Sequence, residues 1–332
     1  MKRVGIFCLT LALLLSCLSC GKEVQTRTFF LMDTGITVTL YTQDMARAEE
    51  IFAACRELLG RFDALWSPTN PESDVSKWNS TDSGELELDA RTLALLQTAL
   101  EVSEKTDGAF DITVAPLVAL WSDCETRDSL PTDAEMQAVR ALIGREHLFL
   151  TDKALIKSLP EVRIDLGGIG KGAAIDALID YLDTCGIGGG LVSFGSNVAV
   201  FGKKPDGNAF RIALRDPKNA EGRVGTLTLN PDEVLSVSGD YERYVTVGGK
   251  RYHHLLDPES GYPAESELAS VAVIASDGAL ADALSTALFI MGRDRAMSFY
   301  ESGTYAFEAV LIAHDGEITV TKGFEARFFK DN

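Results

Sequence analysis

Hydrophobic residues recur at helical spacing in the first half of the chain. Asp44 precedes one such segment, whose apolar positions share one helix face: Ile51, Phe52, Cys55, Leu58, Leu59, Phe62 and Leu65. Asp89 precedes a second helix of the same kind. Thr132 followed by Glu135 three residues later is typical of a capping box, which predicts the start of a third helix.

Apolar and polar residues alternate in other segments, as in strands with one buried face. Residues 36–40 and 162–166 have this pattern, and residues 191–194, 198–201 and 210–214 also predict short strands. Gly248-Gly249 and Asp315-Gly316 predict two hairpin turns, and residues 279–291 predict a buried helix. The polar stretches 67–83 and 123–131 predict loops. This mixture favours an α+β fold, with mixed and largely antiparallel sheets and packed helices.

The longest apolar run lies near the N-terminus, at residues 6–15, after a short basic start. Its length is half of the ~20 residues that a membrane-spanning helix needs, and is typical of a signal-peptide core. Leu14-Leu15-Ser16-Cys17 resembles the lipobox of bacterial lipoproteins, in which the Cys is acylated, and Cys17 fits better than Cys20. Residues 1–20 are therefore expected to be a lipoprotein signal segment, and an ordinary cleaved signal with incidental cysteines is the alternative. The lipid would anchor the protein to the cytoplasmic (inner) membrane on its periplasmic side.

The remaining composition is that of an acidic globular protein. Lys and Arg number 31 against 49 Asp and Glu, so 31 − 49 gives a net charge of −18, which disfavours a nucleic-acid partner. Cys55, Cys124 and Cys185 are widely spaced and odd in number, which predicts buried free thiols rather than a disulfide framework.

A glycine-rich segment, residues 165–172, lies between a predicted strand and a predicted helix, where backbone N–H groups can hold a phosphate. Gly168-x-Gly170-x-x-Ala173 also matches a loose dinucleotide fingerprint, which keeps a nicotinamide-dependent oxidoreductase as an alternative. However, the strand at 191–194 does not end in the required acidic residue. A glycine turn that only packs a helix on a sheet is the other alternative.

Two further groups of residues could carry chemistry. Asp282 and Thr286 share one face of the apolar helix, and their oxygens suit Mg²⁺. The neighbours are apolar, so the carboxylate is expected to be unpaired and to need a cation; a solvated helix edge is the alternative. His253 and His254 precede a turn, and strand alternation predicts that only one of them faces a given site.

Seven segments, taken in order, resemble the FAD:protein FMN transferase (ApbE-type) family over about residues 29–324. They are residues 32–34, 73–79, 108–117, 165–172, 238–241, 254–258 and 281–286. The resemblance implies an enzyme that splits FAD with Mg²⁺, releases AMP and attaches FMN through its phosphate to a Ser or Thr hydroxyl. The implied acceptor is a flavoprotein subunit of a membrane redox complex. Some members also hydrolyse FAD to FMN and AMP.

The resemblance also implies residue roles, in a catalytic region of two intertwined subdomains over residues 21–332 with the site between its halves. Asp282 and Thr286 would bind the metal, with Ser285 assisting and Gly168 contributing its carbonyl. The implied FAD-binding residues are Met32, Ala109, Phe110, Asp111, Asp165, Lys171, His254 and Leu255. His254 is the candidate base, and Asp282 is catalytic through the metal.

One departure from the family concerns an aromatic residue. Many members carry a Tyr shortly before the Ser-Asp segment, whereas residues 67–71 contain no aromatic, and Trp66 is the candidate substitute. Loss of a stacked ring would weaken FAD retention by ~0.5–1.5 kcal/mol. That favours turnover or hydrolysis over storage. A lipoprotein that binds FAD without transferring FMN is a further alternative.

Overall fold

A computed structural model describes residues 24–83 and 85–331. In chain order its strands are β1 (Val24–Leu31), β2 (Thr34–Tyr41), β3 (Leu86–Glu87), β4 (Leu148–Leu150), β5 (Ala154–Lys157), β6 (Gly189–Phe194), β7 (Asn197–Gly202), β8 (Phe210–Asp216), β9 (Asn219–Leu229), β10 (Val234–Gly239), β11 (Tyr244–Val247), β12 (Lys250–His253), β13 (Leu268–Ala275), β14 (Glu308–Ala313), β15 (Ile318–Val320) and β16 (Phe328–Lys330).

The helices lie mainly between these strands. They are α1 (Met45–Trp66), α2 (Asp74–Ser80), α3 (Ala90–Lys105), α4 (Ala115–Arg127), α5 (Asp133–Arg140), α6 (Gly170–Thr184) and α7 (Gly278–Glu301). No helix of the described ranges is both long and apolar enough to cross a membrane. The predicted signal segment, with Cys17 and Cys20, lies outside the described residues, and the two intertwined subdomains stay a prediction.

An eight-stranded sheet organises the fold, in the order β1-β2-β6-β7-β10-β13-β14-β15. Its neighbouring strands pair antiparallel throughout, and three smaller sheets are formed by β11-β12, β16-β9-β8 and β3-β5-β4. The predicted α+β class with largely antiparallel sheets is confirmed.

Strand alternation divides the side chains of the main sheet between two cores. On β10, Val234 and Ser236 face helices α6 and α7, whereas Leu235 faces the opposite core together with residues of β8 and β9. The face toward α6 and α7 therefore carries serines where an apolar side chain would be expected. Ser236 contacts Asp282, and Ser238 contacts Ser285.

Helices α6 and α7 approach each other closely at one glycine. A Cβ on Gly172 would lie 1.9 Å from the carbonyl oxygen of Gly278, so any larger residue would force the helices apart. This contact brings the N-terminal turn of α6, with Lys171, against Asp282 of α7.

Most predicted local signals are confirmed. Asp44 caps α1 by accepting from the Arg47 N–H at 2.9 Å, and Thr132 and Glu135 form the capping box of α5. Both hairpins form at the predicted dipeptides, joining β11 to β12 and β14 to β15. Cys55 and Cys124 are free and buried, while Cys185 is partly buried.

Both predicted loops are partly wrong. Residues 67–83 contain α2, which Ser73 caps, and Trp78 of this helix is fully buried and donates to the Leu155 carbonyl at 2.6 Å. In the stretch 123–131, α4 continues to Arg127 because Cys124 packs into the core. Both segments are polar on one side only, and their few apolar residues find partners far away in the chain.

The strand predicted at residues 162–166 is also wrong. Residues 162–166 form no strand, and none of the strands in the described ranges pairs with them. Instead, the Asn79 side chain takes the place of a strand neighbour, accepting from Ile164 N–H at 2.8 Å and donating to Ile164 O at 2.9 Å. This side-chain anchor fixes the chain just before the glycine turn.

Candidate active site

A cavity of about 790 Å³ opens where the glycine turn, β10, the segment after β12 and α7 meet. Its wall includes most of the predicted site residues: Ala109, Phe110, Asp111, Asp165, Gly168, Lys171, His254, Leu255, Asp282 and Thr286. A volume of this size is typical of small-molecule sites, and the wall combines apolar residues with a few convergent polar groups.

Two predicted site residues do not line the cavity. Met32 lies beside the N-terminus of α6, where a Cβ on Gly170 would be 3.9 Å from its Cε, and its N–H donates to Asp63 at 3.2 Å. Ser285 is fully buried, and its hydroxyl donates to the main-chain carbonyl of Asp282 at 2.9 Å. Their flavin-binding and metal-binding roles stay predictions.

The Asp282 carboxylate is buried but not unpaired, so that expectation is wrong. Its Oδ2 accepts from the Gly172 N–H at 3.0 Å, and its Oδ1 accepts from the Ser236 hydroxyl at 3.1 Å. The Lys171 ammonium is 3.8 Å from Oδ2. The carboxylate therefore also caps the first turn of α6, where its charge is favourable.

Lys171 places a cationic group at the cavity wall. Its Nζ donates to the Gly167 carbonyl at 2.7 Å, so the ammonium bridges the glycine turn and Asp282. The side chain is only partly buried, and an anionic group entering the cavity would therefore meet a positive charge there.

Hydroxyl groups form a connected network behind Asp282. Ser238 Oγ lies 2.7 Å from Ser285 Oγ and 3.4 Å from Thr286 Oγ1. Ser236 Oγ lies 2.9 Å from Asn197 Oδ1. Sequence reasoning missed Asn197 and Ser236 as site residues, although Ser236 and Ser238 at alternating positions between apolar residues are a detectable signal.

The oxygen donors at this end of the cavity suit a hard divalent cation. The Asp282 carboxylate and the Thr286 hydroxyl both line it, and Gly168 is adjacent, since a Cβ there would be 3.7 Å from Thr286 Oγ1. Within the described ranges, no three His, Cys, Asp or Glu side chains are arranged to hold a metal ion. Such a sparse oxygen set fits Mg²⁺, which keeps several waters and binds substrate phosphates.

His254 has one nitrogen available for proton transfer. Its Nδ1 lies 3.1 Å from the Arg243 carbonyl, which can only accept, so Nδ1 carries the proton and Nε2 keeps a lone pair. The ring lines the cavity and solvent reaches it, but the surrounding walls desolvate the charged form. This burial lowers the pKa of His254 to about 4, so the imidazole is neutral at pH 7.

His253 also lines the cavity, so the prediction that only one of the two histidines would do so is wrong. Strand β12 ends at His253, and strict alternation does not extend to His254. The His253 Nε2 contacts the Ala264 carbonyl at 3.2 Å, and its ring meets Phe289 edge-on at 5.6 Å between centroids. These contacts give His253 a packing role.

Asp111 is directed toward its own turn. Its Oδ1 accepts from the Thr113 N–H at 2.7 Å and from the Thr113 hydroxyl at 2.6 Å, which fixes the chain beneath the cavity wall. Burial raises the pKa of Asp111. The carboxylate also accepts from the Ser103 hydroxyl at 3.5 Å, and its predicted flavin role stays a prediction.

Trp66 does not replace the missing aromatic residue at the cavity. Its ring stacks on Phe62 at 4.7 Å within the core, and its Nε1 donates to Thr92 at 3.3 Å. Three other aromatic side chains line the cavity, none of which the sequence singled out as a flavin contact: Trp121, Tyr241 and Tyr252.

Comparison with known proteins gives consistent matches. The ApbE family matches residues 32–311. A FAD:protein FMN transferase of Vibrio cholerae is 34% identical over 262 residues, which are 78% of each chain. The structure of the flavin transferase ApbE from Vibrio cholerae superposes with a TM-score of 0.82 at 29% identity, covering 92% of this chain and 99% of that one. The ApbE protein from Thermotoga maritima also gives 0.82, at 31% identity, covering 93% of this chain and 100% of that one.

The fold, the cavity and these relatives together define an enzyme, as the sequence predicted. The chain belongs to the ApbE family, and the predicted resemblance is confirmed.

Proposed function

We propose that this protein is a Mg²⁺-dependent flavin transferase, which cleaves FAD, releases AMP and attaches FMN through its phosphate to a Ser or Thr hydroxyl of a target protein. The observation that carries the proposal is the convergence of Asp282, Thr286, Lys171 and His254 on one cavity. A cation site and a neutral base are both needed for this reaction, and the chain brings them together from three distant segments.

Asp282, Thr286 and the Gly168 carbonyl would hold the Mg²⁺. When bound, this ion neutralises charge on the pyrophosphate and on its transition state. Lys171 supplies a second positive charge from the glycine turn, 3.8 Å from the Asp282 carboxylate. Local cations matter in a protein of net charge −18, because the overall field repels an anionic substrate.

His254 would accept the proton of the attacking hydroxyl. Its Nδ1 is held by the Arg243 carbonyl at 3.1 Å, which leaves Nε2 to take that proton. The lowered pKa keeps the base in its neutral, proton-accepting form at physiological pH. If water takes the place of the acceptor hydroxyl, the same arrangement hydrolyses FAD to FMN and AMP.

The fold argues against the alternative of a nicotinamide-dependent oxidoreductase. A dinucleotide fingerprint acts within a parallel β-α-β unit. Here β6, the strand that follows α6, pairs antiparallel with both β2 and β7. In addition, the Gly172 N–H of the glycine turn donates to Asp282, so this N–H is already used and does not face a dinucleotide phosphate.

Incubation of purified protein with FAD and Mg²⁺ should release AMP, which chromatography detects directly. Addition of an acceptor subunit with a Ser or Thr target should give a covalently fluorescent acceptor band in proportion to the AMP. A protein that binds FAD but releases no AMP would instead be a flavin-binding lipoprotein. AMP without a fluorescent acceptor would restrict the activity to hydrolysis.

We further propose that the protein is lipid-anchored on the periplasmic side of the inner membrane, where the acceptor subunit of a membrane redox complex would be accessible. The support is the Leu14-Leu15-Ser16-Cys17 pattern after a signal-like apolar run.

Metabolic labelling with palmitate should therefore tag the wild-type protein. The single substitution Cys17→Ser should remove the label, and Cys20→Ser should leave it, since Cys17 fits the pattern better. Persistent labelling of the double variant would rule out an anchor at either cysteine.

A further inference from the structure

Ser236, which lies directly behind the cavity wall, has one hydroxyl proton and three oxygen neighbours. Its Oγ is 2.9 Å from Asn197 Oδ1, 3.1 Å from Asp282 Oδ1 and 3.3 Å from Ser285 Oγ. A hydroxyl donates only one hydrogen bond, so these oxygens compete. Ser236 and Asn197 are fully buried, so bulk water cannot donate a hydrogen bond to the oxygens that Ser236 leaves without one.

The carboxylate is the strongest of the three acceptors. Ser285 Oγ is the farthest, and its own proton already goes to the Asp282 carbonyl at 2.9 Å. Between an amide oxygen and an ionised carboxylate, the hydrogen bond to the charged acceptor is roughly twice as strong. The Ser236 proton therefore belongs to Asp282, which leaves the Asn197 amide oxygen without this donor.

The amide nitrogen of Asn197 lacks a hydrogen-bond acceptor. Its Nδ2 is buried and has no hydrogen-bond partner. A half-turn of the amide about its last side-chain bond exchanges Nδ2 and Oδ1 in almost the same space. Nδ2 then donates to Ser236 Oγ, and the oxygen takes the unpartnered position, which costs less than a buried N–H without an acceptor. The contact given up is the long one from Ser196 Oγ, at 3.5 Å.

We infer that Asn197, Ser236 and Asp282 form a directed hydrogen-bond chain, from Asn197 Nδ2–H to Ser236 Oγ and from Ser236 Oγ–H to Asp282 Oδ1. Asn197 and Ser236 are then positioning residues for the cation site. This inference rests on the proposed function, in which Asp282 is the metal ligand. Together with the Gly172 N–H at 3.0 Å from Oδ2, the chain holds both carboxylate oxygens from the buried side. Their remaining lone pairs are thereby fixed toward the cavity.

Ser236→Ala tests the chain by removing the donor to Asp282. The Mg²⁺ concentration for half-maximal AMP release should rise about 10–100-fold, the usual effect of losing a group that orients a metal ligand, while kcat at saturating Mg²⁺ stays close to wild type. Without FAD, the Mg²⁺-dependent rise in Tm should move to correspondingly higher Mg²⁺. Ser236→Thr keeps the hydroxyl and should restore the wild-type requirement.

Thr321→Val is a matched control, because Thr321 is a fully buried hydroxyl that contacts Glu308 away from the cavity. It should lower Tm without changing the Mg²⁺ requirement. If Ser236→Ala behaves in the same way, Ser236 is only structural and the inference is overturned. If the wild type itself needs no Mg²⁺, the proposed metal step fails first, and this inference fails with it.

Asn197→Leu tests the direction of the chain. This substitution removes both the Nδ2 donor and the Oδ1 acceptor and nearly keeps the size of the side chain. In the directed chain, the Ser236 hydroxyl loses its donor, Asp282 is held less firmly, and the Mg²⁺ requirement should rise. If Ser236 instead donated to Asn197, the substitution would free the Ser236 proton for Asp282 and would not raise the requirement. An unchanged or lowered requirement in a folded Asn197→Leu protein would therefore overturn the proposed direction.

Discussion

Asp282→Asn is expected to reduce Mg²⁺-dependent release of AMP from FAD by about 10²-fold or more, because the anionic ligand that holds the cation is lost. Asn keeps the shape of the side chain and one acceptor oxygen for the buried contacts. The Mg²⁺-dependent shift in Tm should disappear together with the activity. AMP production and melting curves, recorded with and without Mg²⁺, measure both effects.

Asn is preferable to Ala at this position because of the contacts of Asp282. Ala suits a helix interior, so helix propensity alone would allow Asp282→Ala to fold normally. In the structure, Ala would leave the Gly172 N–H without its acceptor. An unsatisfied buried donor costs about 1–3 kcal/mol, so Asp282→Ala should lower the free energy of unfolding as well as the activity.

Asp277→Asn provides the matched control on the same helix. Asp277 caps α7 by accepting from the Leu280 N–H at 2.8 Å, does not line the cavity, and Asn is an equally good cap. This variant should keep wild-type activity. EDTA should silence the wild type, and added Mg²⁺ should restore it. Wild-type AMP release by a folded Asp282→Asn protein would contradict the metal assignment and most of the proposed site.

His254→Ala should retain FAD while its transfer of FMN to an acceptor hydroxyl falls about 10²–10⁴-fold, the usual contribution of a general base. The pKa of His254 is lowered to about 4, below its ordinary value. The base is therefore neutral above that pH and becomes protonated only as the pH falls through about 4. Wild-type transfer attributable to this base should be constant from pH 6 to 8 and decline only in strong acid.

Flavin fluorescence of the acceptor protein measures the transfer, and equilibrium dialysis measures FAD retention. Added imidazole should partly rescue a His254→Gly variant, because it replaces the missing base. His147→Ala is the control, since this partly buried histidine contacts Ser158 and does not line the cavity. Transfer by His254→Ala near the wild-type rate across pH 6 to 8 would assign the base to another group.

Elements with local signals could be predicted from the sequence, and elements with distant partners could not. The cap at Asp44 and the capping box at Thr132 depend on residues within one helical turn, and both form as predicted. Residues 162–166 alternate like a strand, but the partner is the Asn79 side chain, 85 residues away from Ile164. A pattern of alternation reports which side chains are buried and carries no information about the backbone's partner.

By itself the sequence determined the family and the α+β class, and most of the site residues that it predicted line the cavity, because each of these depends on short motifs and local periodicity. Only the tertiary structure decided how Asp282 is held, since its two donors lie 110 residues away at Gly172 and 46 residues away at Ser236. It also decided that Trp66 packs in the core and that both histidines reach the cavity. Burial and hydrogen-bond partners depend on which segments are in contact in the folded protein, and residue spacing along the chain does not show which distant segments these are.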